Sequence, residues 1–151
     1  MSAPKPEIVD ALVGAVVRVI QISLGENAQQ IATSYASDVD PAPSIAVSIS
    51  LSGSLRGPVT WSFSRQLARR VTESMMMGPA PEEYYAGAVA ELANMMLGNA
   101  VASLEDAGFL VELAPPLIAP ERKQGARNAL VVAITVPSGE IKLLFDLEEA
   151  A

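Results

Sequence analysis

The stretch AVAELANMMLGNAVASLEDAG, Ala88 to Gly108, decides how this chain is read. At about 100° per residue, Val89, Leu92, Ala93, Met96, Leu97, Ala100 and Leu104 fall into one broad arc, the pattern of a helix with a core-facing side. The opposite side carries Glu91 and Asn94, three positions apart and therefore surface neighbours, beside Gly87 and Gly98. Met95, Ala102 and Glu105 flank them. Each interior glycine costs a helix roughly 1 kcal/mol relative to alanine, so something should offset the penalty. Two readings are open on spacing alone. A partner surface could approach the bare backbone, with the Met95 thioether as an adaptable apolar contact, the Glu91 carboxylate facing a cation and the Asn94 amide orienting a water or bridging two groups. Alternatively, Glu91 and Asn94 are ordinary surface residues and Gly98 relieves a crossing with another helix.

Working outward, Pro81 is placed to start this helix, with Glu82 and Glu83 at the positive end of its dipole. Gly108 is placed to cap it after Ala107, which gives about 40 Å at 1.5 Å per residue. Upstream, "RQLARRVTESMMM" reads as a shorter helix capped by Ser64 and stopped by Gly78 and Pro79. Its cluster of Arg65, Arg69 and Arg70 reads as a solvated helix face. Before it, "SIAVSISLSG" alternates strictly, with Ile45, Val47, Ile49 and Leu51 on one side and serines on the other. "PVTWSFS" repeats the alternation, and "GSLRGP" between them suits a tight reversal, so the pair reads as an antiparallel hairpin.

Near the N-terminus, Ile8, Leu12, Ala15, Val16, Val19 and Ile20 recur at helical spacing from Pro6 to Leu24, and Gly25 is placed to end that helix. After the long helix come "FLVELAPPLI", a strand broken by Pro115 and Pro116, the charged loop "APERKQGARN", and "ALVVAITVPSGEIKLLFDLEE", a second hairpin turning at Ser138-Gly139. The mixture suggests an α+β fold: a mostly antiparallel sheet with two long helices on one face plus a short helix.

Composition bounds the chemistry. The 151 residues are the length of one domain, 1–151, and 50% hydrophobic against 18% charged residues allow it a substantial core. With Cys 0 there is no disulfide, thiolate metal site or cysteine nucleophile, and with His 0 there is no Ser-His-Asp triad or familiar catalytic zinc site. Any catalysis must therefore use carboxylates, amides, hydroxyls or a partner's groups. The net charge of −7 argues against a nucleic-acid partner, which needs Lys and Arg to replace phosphate counterions. The apolar N-terminal run is interrupted by Asp10 and Arg18 and falls short of the ~20 residues of a membrane span. It also lacks a convincing secretory signal, so a cytoplasmic protein without membrane insertion is expected.

The segment "ELANMMLGNA", Glu91 to Ala100, resembles the signature of the CheC/CheX/FliY family of chemotaxis phosphatases, in which Glu-x-x-Asn is followed by Gly-Asn or a similar pair. The order of elements around it, from the N-terminal helix through the serine-rich hairpin to "LAPPLI", is similar to a CheX-like domain over most of the chain. Glu-x-x-Asn occurs once in this setting; "EIVD", with Glu7 and Asp10, reads as a plain helix start. This is the pattern of the single-site CheX-like branch. Two departures stand out: Gly87, four residues before Glu91, replaces the usual Asp or Ser, and Pro115-Pro116 lie about one residue closer to Asn94 than usual.

The resemblance implies dephosphorylation of a CheY-like response regulator that carries phosphate on an aspartate. By that analogy, Glu91 makes a salt bridge to the regulator's lysine and Asn94 holds the attacking water in line with phosphorus, while Gly87, Met95 and Gly98 lie against the partner. Mg²⁺ is then expected on the regulator, with no cofactor or metal on this chain, and a homodimer paired through its sheets is implied, with Ser44 to Ser52 able to pair further if it lies at an edge. The competing expectation is a non-catalytic CheX-like module that binds a phosphorylated receiver or other signalling partner without speeding hydrolysis.

Overall fold

The computed structural model describes residues 4–36, 44–119 and 129–150. Its elements in chain order are α1 (Pro6–Leu24), β1 (Gln30–Ala36), β2 (Ser44–Gly53), β3 (Leu55–Ser64), α2 (Arg65–Met76), α3 (Tyr85–Asp106), β4 (Val111–Leu113), β5 (Leu117–Ala119), β6 (Ala129–Val136), β7 (Gly139–Phe145) and β8 (Glu148–Glu149). The strands pair antiparallel in the order β1-β6-β7-β3-β2. β4 and β5 lie end to end along the remaining side of β2, and β8 pairs with the start of β3. Pro115 and Pro116 stand between β4 and β5, which suits residues that cannot donate to a ladder on an outer strand.

The period-2 pattern sets which sheet face is covered. Val47, Ile49 and Leu51 of β2, Val59, Trp61 and Phe63 of β3, and Ile141, Leu143 and Phe145 of β7 are buried in one cluster with the apolar faces of all three helices. α1 contributes Ile8, Leu12, Val16 and Ile20; α2 contributes Leu67, Ala68 and Val71. This is the α+β arrangement expected, with two long helices of 19 and 22 residues and a shorter one of 12.

Capping follows local chemistry. Pro6 opens α1, and Gly25 closes it in the left-handed region (φ 68), its N–H donating to Gln21 O at 2.9 Å. The Ser64 hydroxyl accepts from Leu67 N at 3.3 Å to start α2 and from Glu140 N at 3.1 Å, tying that helix to the β6–β7 hairpin.

Several boundaries differ from the expectation. α2 ends one residue earlier: Met77, not Gly78, takes the left-handed conformation (φ 58), and Gly78 N donates back to Glu73 O at 3.1 Å. The approach to α3 is a short 3-10 turn, Glu82–Tyr84, so Pro81 begins that turn and α3 proper spans about 33 Å at 1.5 Å per residue. The Glu82 carboxylate pairs with Arg65 at the start of α2. The first hairpin reverses more tightly than "GSLRGP" implies, because Leu55 to Pro58 already belong to β3. The second turns at Pro137-Ser138, since Val136 pairs with Gly139.

β1 has no counterpart in the expectation. Its residues are exposed where described, so no apolar run announces it. β2 is not an edge, being paired on both sides, so further pairing through Ser44 to Ser52 is excluded. Most of the loop "APERKQGARN" (residues 120–128) lies outside the described residues.

Glu26 joins three elements just after α1. Its carboxylate accepts from Ser138 N at 2.8 Å and from the Ser138 hydroxyl, and lies 3.7 Å from Arg70 Nε, with the side chain only 13% exposed. Glu26→Ala leaves the Ser138 amide without its acceptor and is expected to cost about 1–3 kcal/mol in urea unfolding. Glu26→Gln, which keeps an acceptor, should cost less.

Candidate functional site

α3 is held by its buried arc: Val89, Leu92, Ala93, Met96, Leu97, Ala100 and Leu104 are all at most 1% exposed. These are the residues expected from the sequence, and their burial fixes the rotation of the helix. Glu91 and Asn94 therefore stand in solvent on the far side, one turn apart, with Gly87, Met95 and Gly98 also exposed. The structure brings all five sequence-derived positions onto one continuous strip.

Among the described residues, no hydrogen bond or ion pair engages the Glu91 or Asn94 side chains. A Cβ built at Gly87 or at Gly98 meets nothing within 4 Å. Relief of a helix crossing among the described residues is thus not the reason for Gly98. The helix gives up about 1 kcal/mol at each glycine with no packing gained in return, and the face it leaves bare has room for another surface. Met95, 44% exposed, adds a flexible apolar group there.

What this strip can do is limited and specific. Glu91 offers an unpaired carboxylate to a cation, and Asn94 offers one donor group and one acceptor group on a short stem. Both sit on a helix and not on a loop, so their spacing is rigid. Among the described residues, no group of three or more Asp or Glu is placed to hold a metal ion. No helix among the described residues is long and apolar enough to cross a membrane.

The family model described as chemotaxis phosphatase CheX matches residues 45–137, from β2 through α3 to the turn after β6. The chain belongs to the CheX family. It is 32% identical over 114 residues to the CheY-P phosphatase CheX of Thermotoga maritima, an alignment covering 74% of each protein. The crystal structure of chemotaxis protein CheX from Desulfovibrio desulfuricans superimposes with a TM-score of 0.80 at 21% identity, over 94% of this chain and 99% of that one. A CheX-CheY-BeF3-Mg²⁺ complex from Borrelia burgdorferi matches with a TM-score of 0.72 at 19% identity, covering 94% of this chain and 98% of that one. At these identities the two solved structures speak for the fold.

Sequence reasoning passed over one residue beside this face. Arg18, noted only for interrupting the apolar run of α1, donates from Nε and Nη2 to Asn99 Oδ1 at 3.0 and 2.9 Å, bridging α1 to α3. Its spacing four residues after Gly14 on the outer side of α1 was the available signal.

Because the glycines face open space in helical backbone, their cost is recoverable. Gly98→Ala and Gly87→Ala are each expected to stabilise the isolated domain by about 0.5–1 kcal/mol in chemical unfolding. A loss of stability in either variant would mean that the helix packs there in solution.

Proposed function

We propose that this chain is a cytoplasmic aspartyl-phosphate phosphatase of the CheX type, acting on a CheY-like response regulator. The observation that carries the reading is the unpartnered Glu91–Asn94 pair on the rigid outer strip of α3, between glycines that nothing in the described fold requires. Family membership adds to it, because the Thermotoga relative is named for acting on CheY-P and the Borrelia relative was crystallised with CheY.

The roles follow from chemistry. The aspartyl phosphate is already a reactive mixed anhydride, so hydrolysis needs a water held in line with phosphorus more than it needs a strong base. An amide suits that role, because the Asn94 side chain can accept a hydrogen bond from the water with its oxygen while donating with its nitrogen to a phosphoryl oxygen. Glu91, three residues earlier, forms a salt bridge with the regulator's lysine beside the phosphate and so fixes the angle at which α3 enters. Gly87, Met95 and Gly98 form the surrounding contact, the glycines letting backbone approach backbone. Mg²⁺ bound by the regulator offsets the charge of the phosphoryl oxygens. A chain without His or Cys can serve in this scheme because it contributes orientation, and its partner contributes the electrophile.

Gly87 bears on the rival reading. Where a hydrogen-bonding residue would steady Glu91, a glycine gives the carboxylate no such support, and this keeps alive the rival, a module that docks without speeding hydrolysis. The readings separate in a phosphate-release assay with Mg²⁺ and phosphorylated receiver domains. Asn94→Ala should lower the hydrolysis rate on the order of 100-fold, the scale of lost reactant positioning, with binding largely kept. Glu91→Ala should act mainly by raising KM. Both variants should unfold within about 0.5 kcal/mol of the parent, as surface substitutions usually do. Binding without any acceleration of hydrolysis by the parent chain would make this a docking module, and loss of neither property in either variant would remove the site altogether.

Pairing as a homodimer is part of this proposal. The side of β1 away from β6 has no partner strand among the described residues, and Ile31 and Tyr35 on it are more than half exposed, a profile suited to strand pairing. Sedimentation of the parent chain against Ile31→Lys should show a dimer shifting toward monomer.

A further inference from the structure

Arg18 crosses the seam between α1 and α3. Its guanidinium meets the Asn99 carbonyl oxygen through two nitrogens, at 3.0 and 2.9 Å, and a Cβ at Gly14 would stand 3.0 Å from the Nη1 of the same group. The missing side chain at Gly14 lets the guanidinium lie against α1, and Asn99 aims it across to α3. Its partner there is neutral. Lys5, Arg65, Arg69, Arg70 and Lys142 each pair with a carboxylate, whereas no carboxylate among the described residues pairs with Arg18 or with Arg56, and of these two only Arg18 lies beside α3.

The position of that charge gives it a use. Asn99 is four residues after Met95 and so lies on the same line of α3; it is five residues from Asn94, about 7.5 Å along the axis. Arg18 is therefore a held cation at the border of the strip that carries Glu91 and Asn94. The chain as a whole carries −7, and the target proposed above is anionic too, with an aspartyl phosphate and the carboxylates that hold its Mg²⁺. Two acidic surfaces brought together repel unless a cation faces the anionic group at the rim.

We propose that Arg18, held in place by Gly14 and Asn99, is an electrostatic docking residue that receives a carboxylate at the edge of the phosphorylated receiver's site and sets the rate and specificity of association. The inference rests on the phosphatase reading. It gives Arg18 no part in the chemistry at phosphorus: it is a positioning residue, and its effect belongs in association and KM, not in kcat. Asn99 contributes by holding the guanidinium at the seam. A plain clamp between two helices would affect stability only.

The test is stopped-flow association of the full chain with receiver domain activated by beryllofluoride and Mg²⁺, measured from low to high salt. The variants are Arg18→Gln, Arg18→Lys and, as a control for net charge, Arg56→Gln in the β2–β3 hairpin. Removing one rim charge should slow association about 5-fold at low salt and flatten its salt dependence. The difference should fade at high salt, Arg18→Lys should recover much of the rate, and in the phosphate-release assay on phosphorylated receiver kcat at saturation should be unchanged. Equal rates and equal salt dependence for the parent and Arg18→Gln would overturn this inference alone, as would an identical loss in Arg56→Gln or a loss that merely tracks a fall in Tm. No association of the parent chain with any activated receiver would overturn both this inference and the function on which it rests.

Discussion

The rotation of α3 about its own axis is the constraint on which the site depends. Leu92, Met96, Leu97 and Leu104 are each essentially inaccessible to solvent, and full burial of such a side chain is worth about 1.5–3 kcal/mol. Turning the helix by a single residue would bring several of them to the surface and place Glu91 or Asn94 inside. That would forfeit a large part of the ~5–15 kcal/mol by which a domain of this kind is stable. The core thus does more than hold the fold together, because it sets the direction in which two polar side chains face.

The rest of the structure supports that helix. β2, β3 and β7 supply the apolar floor, with Trp61 and Phe63 among its largest buried side chains. α1 and α2 close the flanks, and Glu26 and Ser64 tie them to the β6–β7 hairpin through hydrogen bonds to backbone N–H groups. The outer strip of α3 stays bare. A face made of two glycines, an amide, a carboxylate and a thioether gives little to an isolated domain; in the function proposed above it is the surface that meets a partner carrying its own metal and phosphate.

Much of this was legible in the chain itself, for physical reasons that differ between elements. α1 and α3 bury one arc while the other stays wet, so helical periodicity exposes both; β2 and β3 alternate because one sheet face is covered by helices, whereas β6 and β7, each with three consecutive buried residues, show as apolar runs on either side of a turn. β1 was not legible: an outer strand with exposed residues has no hydrophobic pattern to betray it. The end of α2 was misplaced by one residue because Met77 accepts a left-handed conformation that ordinarily goes to the glycine after it. At the site, Glu91, Asn94, Gly87, Met95 and Gly98 could be gathered from spacing, and family resemblance supplied the chemistry. The pairing of Arg18 with Asn99 joins residues 81 apart in sequence, which periodicity within one element cannot reveal.

Whether the outer strip of α3 enters a phosphorylated receiver's site and presents Asn94 to the phosphoryl group can be seen in a crystal structure of this chain bound to a receiver activated with beryllofluoride and Mg²⁺. The Asn94 amide is expected within hydrogen-bonding reach of the beryllofluoride or of a water in line with it, and Glu91 paired with a lysine of the receiver. A complex that forms through another surface and leaves the strip of α3 in solvent would contradict it.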